Sequence, residues 1–183
     1  ELPKVGDTLV EAIVKNSHNG SSAFSLSAGL FRLVCSNGLT VPTAVAERFT
    51  MRHNHFQLDD VKELADNFSK KLPFIEQSVG RMMSRELTVD EKINFVRESA
   101  KIRFNAEKTL NDMEILGLLT PNRQEDEGDD LWRVFNTVQE KFIRGGVQVS
   151  NQRGNMSKMR KIDNIIAQNT INTKLWELAE EMI

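Results

Sequence analysis

From Leu58 onward the apolar residues recur at helical spacing, whereas before it they come in short runs separated by turn-forming residues. Leu58, Val61, Leu64, Ala65, Phe68 and Leu72 make one helix face. Phe74, Ile75, Val79, Met82 and Met83 carry the pattern past Pro73, which is expected to kink the helix rather than end it. Thr88-Val-Asp-Glu91 is a capping box ahead of Ile93, Val96, Ala100 and Phe104. The stretch from Asn105 to Leu119 is mixed and reads partly as loop. The best-specified helix follows, with Leu131, Val134, Phe135, Val138 and Phe142 on one face. Asp129 and Asp130 stand at its start and Lys141 and Arg144 at its end, matching the helix dipole, and Gly145-Gly146 stop it. Val147 to Met159 is polar, contains Gly154 and reads as a loop. Ile162, Ile165 and Ile166 begin another helix, and Leu175, Leu178, Ala179 and Met182 form the face of the last, with Trp176 beside it.

The first third reads differently. Leu9 to Lys15 is partly β-branched and predicts a strand. Asn16 to Ser22 is dense in turn residues, and Ala23 to Ser27 alternates with period two, so a β-hairpin is expected. Leu30 to Cys35 fits a buried strand or a short helix equally. Ser36-Asn37-Gly38 reads as a turn or cap, Leu39 to Val41 as extended before Pro42, and a further strand is expected near Glu47–Arg52. Strands followed by helices, without alternation, predict an α+β fold: a small antiparallel β element in the N-terminal third with an α-helical remainder packed on it. The expected division is a hairpin-containing part over residues 1–57 and a helical part over 58–183, within one continuous domain.

Charge and cysteine usage narrow the functional classes. A net charge of −2 gives no global basic field, so nucleic-acid binding would need a local patch. The single cysteine excludes an internal disulfide and fits a reducing cytosol. No apolar run reaches ~18 residues, which argues against a membrane span, and no signal-peptide pattern is present. The expected location is therefore the cytoplasm. The chain opens at Glu1 and enters a strand-like run almost at once, so an N-terminal segment of the full-length protein is expected to be missing.

The one strong local patch is basic. Between Glu140 and Asp163 lie Lys141, Arg144, Arg153, Lys158, Arg160 and Lys161, with no carboxylate among them. Cations flanking a glycine pair and a loop can follow a phosphate backbone; they can equally form a solvated face or pair with the acidic connector Glu125–Asp130. No aromatic residue is interleaved between Gly145 and Lys161, which weakens base stacking from this loop alone. His18, His53, His55 and Cys35 lack the paired spacing of a structural zinc site, and Cys35 reads as a small buried hydrophobe. The acidic connector lacks the alternating ligands of a calcium loop, and serves more simply as helix N-terminal charge. The Asn16–Ser22 loop lacks a Gly-Lys-Ser/Thr sequence, which excludes a nucleotide P-loop. No metal site, cofactor or catalytic group is expected, and an enzyme is the less favoured class.

Several long motifs carry a family resemblance. They are Asn16-Ser-His-Asn-Gly-Ser-Ser-Ala-Phe24, Gly29-Leu-Phe-Arg-Leu-Val-Cys-Ser-Asn-Gly-Leu39, Arg52-His53, Asp129-Asp-Leu-Trp-Arg-Val-Phe-Asn-Thr-Val-Gln-Glu140, Ile143-Arg-Gly-Gly146 and Leu175-Trp-Glu-Leu-Ala-Glu180. In this order they resemble, over essentially the whole chain, the phage/plasmid-like protein family, an uncharacterised domain family of prophages, phages and plasmids. The resemblance implies a mobile-element accessory protein in a bacterial host that handles DNA, by single-strand binding, annealing or protection. The expected contacts are Arg144, Arg153, Lys158, Arg160 and Lys161 from the basic segment, with Arg32, Arg52 and His53 from the β part. The alternative is a protein-interaction module, an anti-defence factor or a virion assembly protein, that uses Trp132, Trp176 and the methionines other than Met51 against a phage or host protein or a further copy of itself.

Overall fold

A computed structural model describes residues 4–5, 8–15, 24–32, 49–51, 58–104, 109–150 and 154–183. The chain is α+β, with four strands ahead of the helices and a two-stranded ribbon before the last helix, and it divides into two compact units, residues 1–77 and 78–183.

The first unit holds an antiparallel sheet of four strands in chain order: β1 (Lys4–Val5), β2 (Thr8–Lys15), β3 (Phe24–Arg32) and β4 (Phe49–Met51). β2 and β3 are the expected hairpin, paired from Thr8 opposite Arg32 to Lys15 opposite Ser25. The undecided run from Leu30 begins as strand, since β3 extends through Arg32; its remainder to Cys35, the two turns at 16–22 and 36–38 and the extended 39–41 lie outside the described residues. β4 adds Phe49–Met51 against Phe24–Leu26, within the strand expected near Glu47–Arg52. Helix α1 (Leu58–Ser84) then starts at the expected residue and continues through Pro73. Pro73 removes one backbone donor, and the buried stripe of Ile75, Val79 and Met82 carries on beyond it. The boundary between the two units falls inside this helix.

The second unit is built around α4 (Leu131–Arg144). Helices α2 (Val89–Arg103), α3 (Asp112–Leu119) and α5 (Ile165–Glu180) all pack against it. Its ends form as its sequence dictates: the Asp130 carboxylate accepts from the Arg133 N–H at 3.0 Å, and Gly145 closes the C-terminus with φ 72°. Its apolar face is core, with Leu131, Phe135, Val138 and Phe142 fully buried. The polar face is enclosed as well, because every residue of α4 except Arg133 and Arg144 is buried. Several buried polar side chains there are hydrogen-bonded: Asn136 donates to the Trp132 carbonyl at 2.6 Å, Gln139 donates to Asn172 of α5 at 3.0 Å, and Arg123 donates to Glu140 at 3.0 Å.

Three sequence expectations need correction here, and that for the mixed stretch 105–119 is sharpened. Trp132 and Trp176, expected to be available to partners, are 3% and 2% exposed and form the aromatic core with Phe135. The mixed stretch before Leu119 contains the whole of α3, opened by a capping box in which Asn111 and Glu114 exchange hydrogen bonds of 2.9 and 2.8 Å. The polar run after Val147 is a two-stranded antiparallel ribbon, β5 (Gln148–Ser150) with β6 (Met156–Lys158). The two helices expected after Ile162 are one, α5, capped by Asn164.

The Thr88 capping box forms as expected and supplies a pH test. The Glu91 carboxylate accepts the Thr88 N–H at 2.8 Å and the Thr88 hydroxyl at 3.0 Å, and pairs with Arg85. These donors, the Thr88 backbone first, hold its pKa down to about 2 from 4.5. A carboxylate with a depressed folded-state pKa stabilises fully above its unfolded value, and that contribution fades as pH falls towards about 2. Glu91→Gln should therefore lower Tm at neutral pH, and the deficit against wild type should shrink as thermal melts are taken below about pH 4. A constant deficit across that range would show that Glu91 acts through packing instead of charge.

Candidate functional site

The chain beyond α4 doubles back on the helix end through a ladder of backbone hydrogen bonds. Gly145 N–H closes onto the Lys141 carbonyl at 2.8 Å. Gly146 N–H donates to Met159 O at 2.8 Å, Met159 N–H to Val147 O at 2.7 Å, and Ile162 N–H to Ile143 O at 2.8 Å. This lays segment 159–162 directly along 143–147. The approach requires glycine: a Cβ on Gly145 would sit 2.3 Å from Met159 O and 2.7 Å from the Arg160 carbonyl carbon.

The ladder gathers cations that the sequence spreads over eighteen positions. Arg144 ends α4 beside Gly145, and Arg160 and Lys161 flank the peptide that Gly145 touches. Lys158 ends β6 opposite Gln148, and both are exposed. Arg160 is exposed, and the Arg144 and Lys161 side chains retain 43% and 70% of their accessible surface. Among the described residues two carboxylates lie against the group. Glu140, itself buried, lies 3.7 Å from Arg144, and Asp163 lies 2.9 Å from Lys161, whose pKa is raised by that hydrogen bond and by the charge behind it. Lys141 belongs to the interior instead: its amine bonds to Asn122, and burial lowers its pKa against the opposing pull of Glu140.

Arg103, at the end of α2, was not singled out by sequence. It braces the arrangement from behind: its Nε donates to Phe142 O at 3.2 Å and its Nη2 to Arg160 O at 2.9 Å. One guanidinium thus ties the last turn of α4 to the returning segment, with its charge against the negative helix end. Its position in the final turn of a helix is the only sequence signal for this role.

The other expected contacts divide two ways. Arg153, Arg52 and His53 lie outside the described residues, as do His55, His18 and Cys35. Arg32 ends β3 across from Thr8 in the first unit.

The acidic end of α4 is occupied differently. Asp130 caps the helix, Asp129 pairs with Lys92 at 2.6 Å, and Asp126 is buried in a 3-10 turn (Gln124–Asp126). A cavity of about 280 Å3 lies there, walled by Leu119, Pro121, Val134 and Thr137 together with the Lys92–Asp129 pair, Asp126, Glu127 and Gly128. Exposed apolar side chains occur elsewhere, with Met113 and Leu116 of α3 74% and 59% exposed. Among the described residues no helix is long and apolar enough to cross a membrane.

Comparison with known proteins gives a family without a function. The family model described as "Domain of unknown function (DUF932)" matches residues 4–174. Two proteins of Escherichia coli (strain K12) are similar over 179 residues: UPF0380 protein YafZ at 29% identity and UPF0380 protein YfjQ at 28%. Each alignment covers 97% of this chain and 64% of the relative, so the chain spans just under two thirds of the curated relatives it matches. No solved structure matches the chain.

Proposed function

This chain belongs to the DUF932 family, a domain of unknown function, and from there we propose that it binds the phosphate backbone of DNA as an accessory protein of a phage or plasmid, in the cytoplasm of its bacterial host. The observation that supports this reading is the backbone ladder that brings Arg144, Lys158, Arg160 and Lys161 together at one end of α4, in a chain whose net charge is −2. A protein with a negative overall balance binds a polyanion only through such a local concentration of cations. Arg153, Arg32, Arg52 and His53 are the further contacts this reading assigns.

Backbone binding releases condensed counterions, so affinity falls steeply with salt. Replacing Lys158 and Arg160 together by alanine is expected to weaken DNA binding about tenfold or more and to reduce the log–log salt slope by about two, one for each lost phosphate contact. Electrophoretic mobility shifts at two salt concentrations measure both. Unchanged affinity and slope in the double variant would remove these residues from the interface.

A second reading is favoured by Met113 and Leu116, which leave an apolar strip on the outer side of α3. In that reading the chain is a protein-interaction module, an anti-defence or assembly factor. Light scattering with the same shift assay separates the two, since a monomer without DNA affinity fits only the interaction module.

A further inference from the structure

The basic segment and the aromatic residues of the same unit bear on which form of nucleic acid would fit it. In the segment leaving β6, Met159 is buried at 5%, while Lys158 and Arg160 on either side of it are exposed. Side chains alternate along an extended backbone, so Lys158 and Arg160 project together, away from the core, with their Cα atoms about 7 Å apart. Arg144 stands beside them because Gly145 is pressed against the Arg160–Lys161 peptide, and the Arg160 carbonyl is held by Arg103 at 2.9 Å. This is a row of cations on a braced backbone.

The aromatic residues of the same unit bear on the ligand. Every tryptophan and phenylalanine of the second unit is committed to packing. Phe95, Trp132, Phe135, Phe142 and Trp176 are buried, and Phe104 is half-buried, edge-on to Phe142 at 6.1 Å with the Arg103 guanidinium over its ring. The protein contains no tyrosine. Proteins that hold single strands without sequence preference combine a cationic groove with aromatic platforms on which the bases stack. In a duplex the bases already stack on one another, and the phosphates alone face outward for cations to meet.

We propose that the ligand of this face is duplex DNA, held by its backbone without sequence preference, in place of the single strand that the family resemblance suggested. The inference rests on the backbone-binding reading above. The test is fluorescence anisotropy with the whole chain, using a labelled duplex and the labelled single strand of the same sequence at equal salt, for wild type and for the Lys158→Ala, Arg160→Ala double variant, whose fold is checked by circular dichroism. The expected result is duplex affinity at least about tenfold above that of the single strand, lost in the double variant, and unchanged for a second duplex of unrelated sequence. Single-strand binding as tight as duplex binding, or tighter, overturns this inference and leaves the backbone reading standing. Absence of binding to either form overturns both. Tight duplex binding that the double variant retains overturns the assignment to this face.

Discussion

Replacing Trp176 by alanine is expected to destabilise the second unit by about 3–5 kcal/mol, a large part of the stability of a small unit. Trp176 is 2% exposed and meets two rings edge-on: Trp132 at 6.4 Å and 84°, and Phe135 at 6.1 Å and 88°. Trp132 and Phe135 stack on each other at 5.7 Å and 11°. The three rings join α4 to α5, so truncation removes buried apolar area and leaves a void between helices that α4, enclosed on its other sides, cannot close. Trp176→Phe should fall between wild type and alanine, since it keeps an edge-on partner while losing volume. Urea unfolding followed by circular dichroism gives the comparison. A loss under about 1 kcal/mol for the alanine variant would mean that the α4–α5 contact collapses around the gap at little cost.

The second large effect is expected at Gly145, and its neighbour is the control. Gly145→Ala places a methyl group 2.3 Å from a backbone oxygen and 2.8 Å from a backbone nitrogen, neither of which can swing aside. It does so at φ 72°, ψ −149°, a region that side chains avoid. Strain and overlap together should cost about 3 kcal/mol, and the ladder should part where Gly145 meets the Arg160–Lys161 peptide, so the proposed DNA binding should weaken along with stability. Gly146→Ala has an equally unfavourable φ of 93° but meets nothing within 4 Å. It should cost only the backbone strain, about 1 kcal/mol, with little loss of binding. Equal effects at the two positions, in unfolding and in mobility shifts, would show that strain alone and not the close approach matters.

This glycine pair also marks how far the sequence could be read. As punctuation it was legible: Asp130 and Gly145 bound α4 where their chemistry puts them, and the apolar period gave its core face. That Gly145 is also the point of contact with the Arg160–Lys161 peptide was not legible, because nothing local to Ile143–Gly146 names the strand that returns. The same applies to the polar face of α4. Periodicity separates apolar from polar positions but does not reveal that Glu140 meets Arg123, or that Gln139 meets Asn172, thirty-three residues away.

The β5–β6 ribbon reads as loop because its strands are only three residues long: Gln-Val-Ser buries its middle residue alone and Met-Ser-Lys is exposed throughout, too little for a period to show. Tertiary bonds fix them, including that of the Ser150 hydroxyl to the buried Glu114 at 3.0 Å. Helix α3 was obscured by being apolar over most of its short length, which flattens the period, although its Asn111–Glu114 capping box stood in the sequence. For the candidate site, the cations themselves were legible as a charge run. Their assembly into a face, the inward turn of Lys141, the counter-ions Glu140 and Asp163 and the brace from Arg103 all depend on the ladder.

A helix open to solvent only at Arg133 and Arg144 also constrains how this sequence can vary. Polar positions on an ordinary surface helix exchange freely, but Gln139, Glu140 and Lys141 each answer to a side chain on another segment: Asn172, Arg123 and Asn122. A change at Gln139 takes a hydrogen bond from the fully buried Asn172, and a change at Arg123 or Asn122 takes one from the buried Glu140 or Lys141, unless the other member of the pair changes too. Variation along α4 should therefore arrive as correlated pairs, and the polar side of the helix should be as slow to diverge as the apolar one.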